Sequence, residues 1–283
     1  MKLGLPYMGS KRKLAKQIVD KIIADNPNME HFYDLFGGGG AVSFEMASRG
    51  IDVYYNELNT GVVKLLTHVM KKGVTKKYYQ WVTREEFMEN KTKDNWLGGF
   101  TKVCWSFGNN QMGYMYGKPK EARKLLKHNA AVNKDKKALK ELGIDVDLTA
   151  PYNVRRIEVC RGIHKLHGGK IQIQHLERIN TLIKIADSGI KFKKIYNKSY
   201  IDVKIKTPKK RTVVYLDPPY KGTGTYEMEV DHKELEQYVQ DSKYKIYMSG
   251  YDVPYMSCIE SLKHHSNLSG KGYSAVMEKL YAK

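Results

Sequence analysis

At 283 residues, 41% apolar and carrying a net charge of +19, the chain is long enough for one large domain or two modest ones and too apolar to be disordered. The charge favours a polyanionic partner, although 40 of the 49 basic residues are lysines and many solvated lysines contact nothing specific. No pair among Cys104, Cys160 and Cys258 has metal-ligand spacing and their number is odd, no stretch approaches the ~20 apolar residues of a membrane span, and Met1-Lys2-Leu3-Gly4 opens no apolar leader. A reducing, cytoplasmic compartment is expected, with no metal and no membrane.

The first informative segment is Tyr7-Met8-Gly9-Ser10-Lys11. Ser10 is the predicted N-cap of a helix reaching about residue 24, with Leu14, Ile18, Val19, Ile22 and Ile23 on its buried face. The bland reading is a basic helix start on the surface. The functional one is that Tyr7, Gly9 and Lys11 line a pocket. A cation at a helix N-terminus opposes the helix dipole, which favours the second.

Residues 31–36 read as a strand, Gly37 to Gly40 as a turn, 41–48 as a helix closed by Gly50, and 51–55 as a second strand. This is a βαβ unit with a glycine-rich first turn, where the backbone can approach a ligand closely. It has neither the G-x-G-x-x-G spacing nor the Gly-Lys-Ser/Thr ending of a P-loop, which argues against hydride transfer and nucleotide hydrolysis. Glu57 follows the glycine turn by about 20 residues, a position suited to ribose hydroxyls. The alternative is a first-turn acid for the helix expected over 60–70.

From Trp81 the texture changes. Thr83 to Glu86 reads as a capped helix start. Residues 100–118 mix aromatics, amides and glycine with little core periodicity. Asn109, Asn110, Tyr114, Tyr116 and Lys118 have the chemistry to read base edges, stack and meet phosphate; an ordinary surface hairpin is the alternative. Residues 123–140 form a charged helical piece. Arg155, Arg156 and Arg161 then mark the densest arginine region of an arginine-poor chain, and guanidinium forks suit phosphate or guanine. Residues 84–170 are the predicted nucleic-acid surface.

The α/β texture resumes with a helix over 174–185, a strand near 191–196, the loop Asn197-Lys198-Ser199-Tyr200, and the apolar strand Val213-Val214-Tyr215-Leu216. Asp217-Pro218-Pro219-Tyr220 ends that strand, because two prolines remove two backbone donors and fix φ twice. One carboxylate, free carbonyls and an aromatic ring then stand where open α/β sheets bind ligands. Together they suit a planar ring bearing an amino group; a polar turn is the bland reading. Residues 221–226 read as a glycine-rich loop able to close over a base, with a plain surface loop as the equal alternative. A helix to about residue 239 follows, then a strand over 244–249. A turn at Gly270-Lys271-Gly272 leads into a last strand, an antiparallel hairpin at the sheet edge.

This order of parts resembles the Dam-like DNA adenine-N6 methyltransferases, in their phage and prophage branch. The resemblance is carried by Tyr7-x-Gly-x-Lys11, Asp34-Leu35-Phe36-Gly37-Gly38-Gly39, Asn56-Glu57, Asn197-x-Ser199-Tyr200, Asp217-Pro218-Pro219-Tyr220, and Ser106 to Asn110 with Tyr114 and Tyr116. It implies a Rossmann-like class I methyltransferase sheet, mostly parallel with one antiparallel edge strand. Residues 1–83 and 171–283 would be catalytic and 84–170 an inserted, mainly helical target-recognition domain. It further implies an S-adenosyl-L-methionine site at Tyr7, Lys11, Asp34, Phe36, Gly37, Gly38, Gly39, Glu57, Ser199, Tyr200 and Asp217, with Glu57 where relatives often carry aspartate. Asp217, Pro218, Pro219 and Tyr220 would act on a flipped base in double-stranded DNA, and Asn109, Asn110, Tyr114, Tyr116, Lys118, Arg155, Arg156 and Arg161 would bind DNA. A restriction-modification or phage setting and a monomer or weak dimer are expected. Cytosine-N4 methylation and a catalytically silent DNA-binding protein stay open as alternatives, since the same motif can hold either exocyclic amine.

Overall fold

The computed structural model describes residues 2–168, 172–219, 230–266 and 274–283. A seven-stranded sheet organises it, built from β1 (His31–Asp34), β2 (Asp52–Asn56), β3 (Lys194–Tyr196), β4 (Thr212–Leu216), β5 (Lys245–Gly250), β6 (Ser257–Ser266) and β7 (Ser274–Ala282), in the order β3-β2-β1-β4-β5-β7-β6. The first five strands are parallel, β7 runs antiparallel to both β5 and β6, and β6 is outermost. This is the mostly parallel, Rossmann-like sheet that was expected, with its antiparallel part at one edge.

Ten helices accompany it among the described residues. They are α1 (Ala15–Asp25), α2 (Ala41–Ala47), α3 (Thr60–Lys72), α4 (Arg84–Asn90), α5 (Trp96–Trp105), α6 (Lys118–Ala131), α7 (Lys136–Leu142), α8 (Tyr152–His167), α9 (Gln174–Asp187) and α10 (His232–Asp241). The strands alternate as buried strands must. Phe32, Val213 and Tyr215 join the core built with α1, α2, α3 and α9, whereas Tyr33, Leu35, Val214 and Leu216 join a second core with Leu235 and Val239 of α10. Both faces of the sheet are therefore covered. Strand order reverses between β1 and β4, which makes the C-terminal ends of these strands the place to receive a ligand.

Two local expectations change. Ser10 caps nothing: a 3-10 turn over Lys11–Lys13 precedes α1, and the Ser10 hydroxyl is buried without a hydrogen-bond partner. The stretch from Phe100 begins inside a helix, α5, and beyond it Ser106 and Tyr114 form an antiparallel β-bridge, so the hairpin alternative holds only for the part after α5. A Cβ on Gly99 would sit 1.9 Å from the carbonyl oxygen of Gly61 in α3, so only glycine lets α3 and α5 approach this closely. That crossing carries the segment after α5 over the sheet edge, where Asn59 Nδ2 donates to Gln111 Oε1 at 3.2 Å.

Candidate active site

One cavity opens at the C-terminal ends of β1, β2 and β4. Register explains the convergence: Asp34 pairs with Tyr55 on one side and Tyr215 on the other, which aligns Asp34, Asn56-Glu57 and Asp217 along the same edge. The lining includes Tyr7, Gly9, Ser10, Lys11, Asp34, Phe36, Gly37, Gly38, Gly39, Glu57, Ser199, Tyr200, Asp217, Pro218 and Pro219. Tyr220 and the loop 221–226 lie outside the described residues.

The glycine turn is required first by the protein's own packing. A Cβ on Gly37 would fall 2.2 Å from the Tyr55 ring, and one on Gly39 2.7 Å from the Leu5 carbonyl oxygen; Gly38 has φ +48°. Tyr55 Oη donates to Gly38 O at 2.7 Å. The turn is thus pinned from behind while its other side forms the cavity wall. Phe36 and Tyr200 pack on each other there, their ring centroids 5.0 Å apart.

Glu57 is buried, and each carboxylate oxygen accepts one backbone N–H at 2.8 Å, from Gly38 and from Asn59. The first-turn alternative for Glu57 gives way to Asn59, which caps α3 by accepting from the Val62 N–H at 3.2 Å. Sequence reasoning overlooked the clip that holds this edge together. Asn56 donates to Leu35 O at 2.9 Å and Lys198 O at 3.1 Å and accepts from the Lys198 N–H, while Asn197 donates to Glu57 O and Leu58 O, each at 2.9 Å. These two amides fix the loop carrying Ser199 and Tyr200 against the end of β2.

Lys11 is almost fully buried. Its Nζ lies 2.7 Å from Asp217 Oδ1, 3.1 Å from Glu278 Oε1 on β7, and 3.3 Å from Gly9 O. Burial by itself pushes the ammonium pKa down, and the two carboxylates more than reverse this, so the charge is retained. Burial pushes the Asp217 carboxyl up, to about 6, with Lys11 opposing and Glu278 adding. Glu278 stands at the far end of the chain, and no motif near it signalled a role.

Asp34 is equally buried. Ser43 Oγ donates to its Oδ2 at 2.7 Å, and its Oδ1 has no hydrogen-bond partner. Burial raises its carboxyl to about 7 against the Ser43 bond, and nearby Asp217 and Glu57 push in the same direction. Glu57 is also raised by burial, with the N–H groups of Asn59, Gly38 and Leu58 opposing. Asp231 and Glu234 complete five carboxylates around the cavity, against Lys11 and Lys198. In a protein of net charge +19 this is a local inversion of sign, and it suits a cationic ligand.

The expected DNA contacts divide into four groups. Asn109 and Asn110 line the cavity, and Asn110 Oδ1 also accepts from the N–H groups of Met112 and Gly113. Lys118 and Arg161 are exposed. Tyr114, Tyr116 and Arg155 are buried and present nothing to a partner. Tyr114 Oη donates to Val82 O at 2.8 Å. Tyr116 Oη is hydrogen-bonded to His175 Nδ1 at 2.7 Å, and His175 Nε2 to His128 Nδ1 at 2.9 Å. Arg155 donates to the carbonyls of Ala131 and Ala150. Arg156 is half-buried and paired with Glu177.

No helix among the described residues is long and apolar enough to cross a membrane, and no group of three or more His, Cys, Asp or Glu among them could hold a metal ion. No curated protein matches the chain. Residues 7–140 match the family model of the D12 class N6 adenine-specific DNA methyltransferases. That span takes in the 3-10 turn of Lys11, the glycine turn, Glu57 and the helices through α7. With the sheet order and the cavity at its switch point, this match indicates an adenine-specific DNA methyltransferase.

Proposed function

We propose that the cavity is the S-adenosyl-L-methionine site and that the enzyme methylates N6 of an adenine flipped out of double-stranded DNA. The observation that carries this is the buried Lys11–Asp217 pair at the end of β4, beside a cavity whose buried Asp34 Oδ1 has no partner. Five carboxylates around a cavity in a basic protein suit a ligand bearing a sulfonium and an ammonium. When bound, this cofactor supplies an electrophilic methyl group.

The residues divide the work. Tyr7 and the Asp34–Gly39 turn bound the cofactor pocket, the Phe36 and Tyr200 rings with Ser199 offer its adenine an apolar wall, and Glu57 keeps a second lone pair on each oxygen for ribose hydroxyls. Asp217 and the carbonyl of Pro218 accept the two N6 hydrogens. That draws the nitrogen lone pair out of conjugation with the ring and aims it, so positioning and electrostatics supply most of the rate. Lys11 holds the Asp217 carboxylate in place and ionised, which keeps it an acceptor. Pro219 fixes the backbone beyond, and Tyr220 stacks on the flipped base and offsets its unstacking. Residues 1–83 and 171–283 form the catalytic part, with 84–170 recognising the target. Asn109, Asn110, Lys118 and Arg161 carry the DNA contacts there.

Product analysis tests the proposal. The protein, unmethylated duplex DNA and S-adenosyl-L-methionine labelled in the methyl group are incubated, and the DNA is digested to nucleosides. Label is expected in N6-methyl-2′-deoxyadenosine only. Label in N4-methylcytosine, or in no nucleoside, would refute it.

A further inference from the structure

A second groove adjoins the cavity, with Asn109 in the wall of both. It is lined by Arg12, Arg156, Arg178 and Lys184, and Glu177 is the single carboxylate in its wall. Glu177 is already paired with Arg156. Arg178 is anchored, donating to Ser106 O at 2.7 Å and Val103 O at 3.2 Å at the end of α5. Arg12 is half-buried and makes no ion pair among the described residues. Lys184 stands exposed at the rim.

We infer that this groove holds backbone phosphates of the DNA strand next to the adenine that enters the cavity. Several observations converge on an anion. Partial burial of an unpaired guanidinium costs free energy unless a negative group arrives. Arg12 and Arg178 both stand in the groove wall, and burial lowers the pKa of both guanidiniums. The buried Oδ1 of Asn109 and the buried hydroxyl of Tyr152 in the same wall have no partners, which leaves polar contacts available to sugar or bridging water. Arginine forks match phosphate geometry, and an anchored fork such as Arg178 loses little further freedom on binding.

Continuity identifies the anion's source. The groove and the cavity share Asn109, so a strand whose base lies in the cavity must pass along the neighbouring wall. Arg12 directly follows Lys11, which ties the strand track to the residue holding Asp217. The inference rests on the cavity being the site of adenine methylation. It also moves the phosphate-binding surface off residues 84–170 alone and onto the start of the chain and α9.

The test separates the two claims. Arg12→Ala, Lys184→Ala and the double variant are assayed for duplex binding across a salt series, with thermal melting as the check on folding. Removing one phosphate-binding side chain is expected to flatten the dependence of log affinity on log salt by about 0.9, so the double variant should flatten it by nearly 2. If both single variants keep the wild-type affinity and slope, the groove does not grip DNA, whatever product analysis says of the cavity. Inorganic phosphate titrated into the complex at constant ionic strength should displace no more DNA than chloride. Phosphate binding that Arg12→Ala abolishes but that saturating duplex DNA leaves undiminished would overturn the inference in favour of a free-phosphate site.

Discussion

Among buried polar side chains, Arg155 and Tyr116 of the helical segment between α3 and α9 and Asp34 of the cavity at the strand ends have opposite outcomes, while Asn109 Oδ1 and Tyr152 Oη of that segment stay unpartnered like Asp34 Oδ1. In the helical segment Arg155 closes on two carbonyls, and Tyr116 closes on a histidine pair beneath Trp105. In the cavity Asp34 keeps one bare oxygen, and three buried carboxyls are raised. Stability selects the first arrangement; readiness for a charged ligand explains the second. A side chain with the right chemistry for DNA is evidence of DNA contact only when its polar end is left open.

The largest effect is expected at Lys11. Lys11→Ala leaves Asp217 and Glu278 buried and facing each other, and should cost about 3–5 kcal/mol in denaturant unfolding. A loss near zero would mean the pair is not buried in solution and would erase the contrast.

Two substitutions in the helical region come next. Gly99→Ala places a Cβ against the Gly61 carbonyl and should destabilise by about 1–3 kcal/mol. Arg155→Ala strips two buried carbonyls of their donor and should cost about 1–3 kcal/mol, with the salt dependence of DNA binding unchanged. A flattened salt slope with stability intact would return Arg155 to the DNA surface.

The cavity predicts a pH dependence of defined sign. Carboxyls raised in the folded protein hold their protons more tightly than in the unfolded chain, so their contribution to stability falls as pH rises from about 4 through about 7. A cationic cofactor favours their ionised form, so its affinity should move the other way. Below about pH 7 it should strengthen by up to about tenfold per pH unit for each proton released, then level off. Calorimetry in buffers of different ionisation enthalpy reads the proton release directly; proton uptake would contradict the acid-lined account.

The smallest effect concerns Arg161, which is exposed on α8. Arg161→Ala should leave stability unchanged and flatten the salt slope of DNA binding by about 1. With Arg155→Ala it forms a matched pair from one helix, sorted by burial alone.

Much of the sheet was legible because its signals are local. The apolar run at β4 ends on two prolines, and the β1 turn is four glycines, so strand limits and ligand edge follow from neighbouring residues. Helix α5 was not legible, since its packing rests on the contact of Gly99 with Gly61 from α3, distant in sequence. Tyr114 and Tyr116 look like stacking residues beside Asn109 and Asn110. Only the fold packs them with Trp81, Trp105 and His175, drawn from distant positions. Glu278 was out of reach for the same reason: its partner Lys11 belongs to the other end of the chain, and β7 brings the two together only by inserting between β5 and β6.

The most direct test of the central claim is methyl transfer by Asp217→Ala, measured with DNA binding on the same preparation. The account predicts that transfer of label to adenine falls by at least about 10²–10³-fold while duplex affinity stays near that of the wild type. Transfer at an undiminished rate by a folded, DNA-binding Asp217→Ala protein would contradict it.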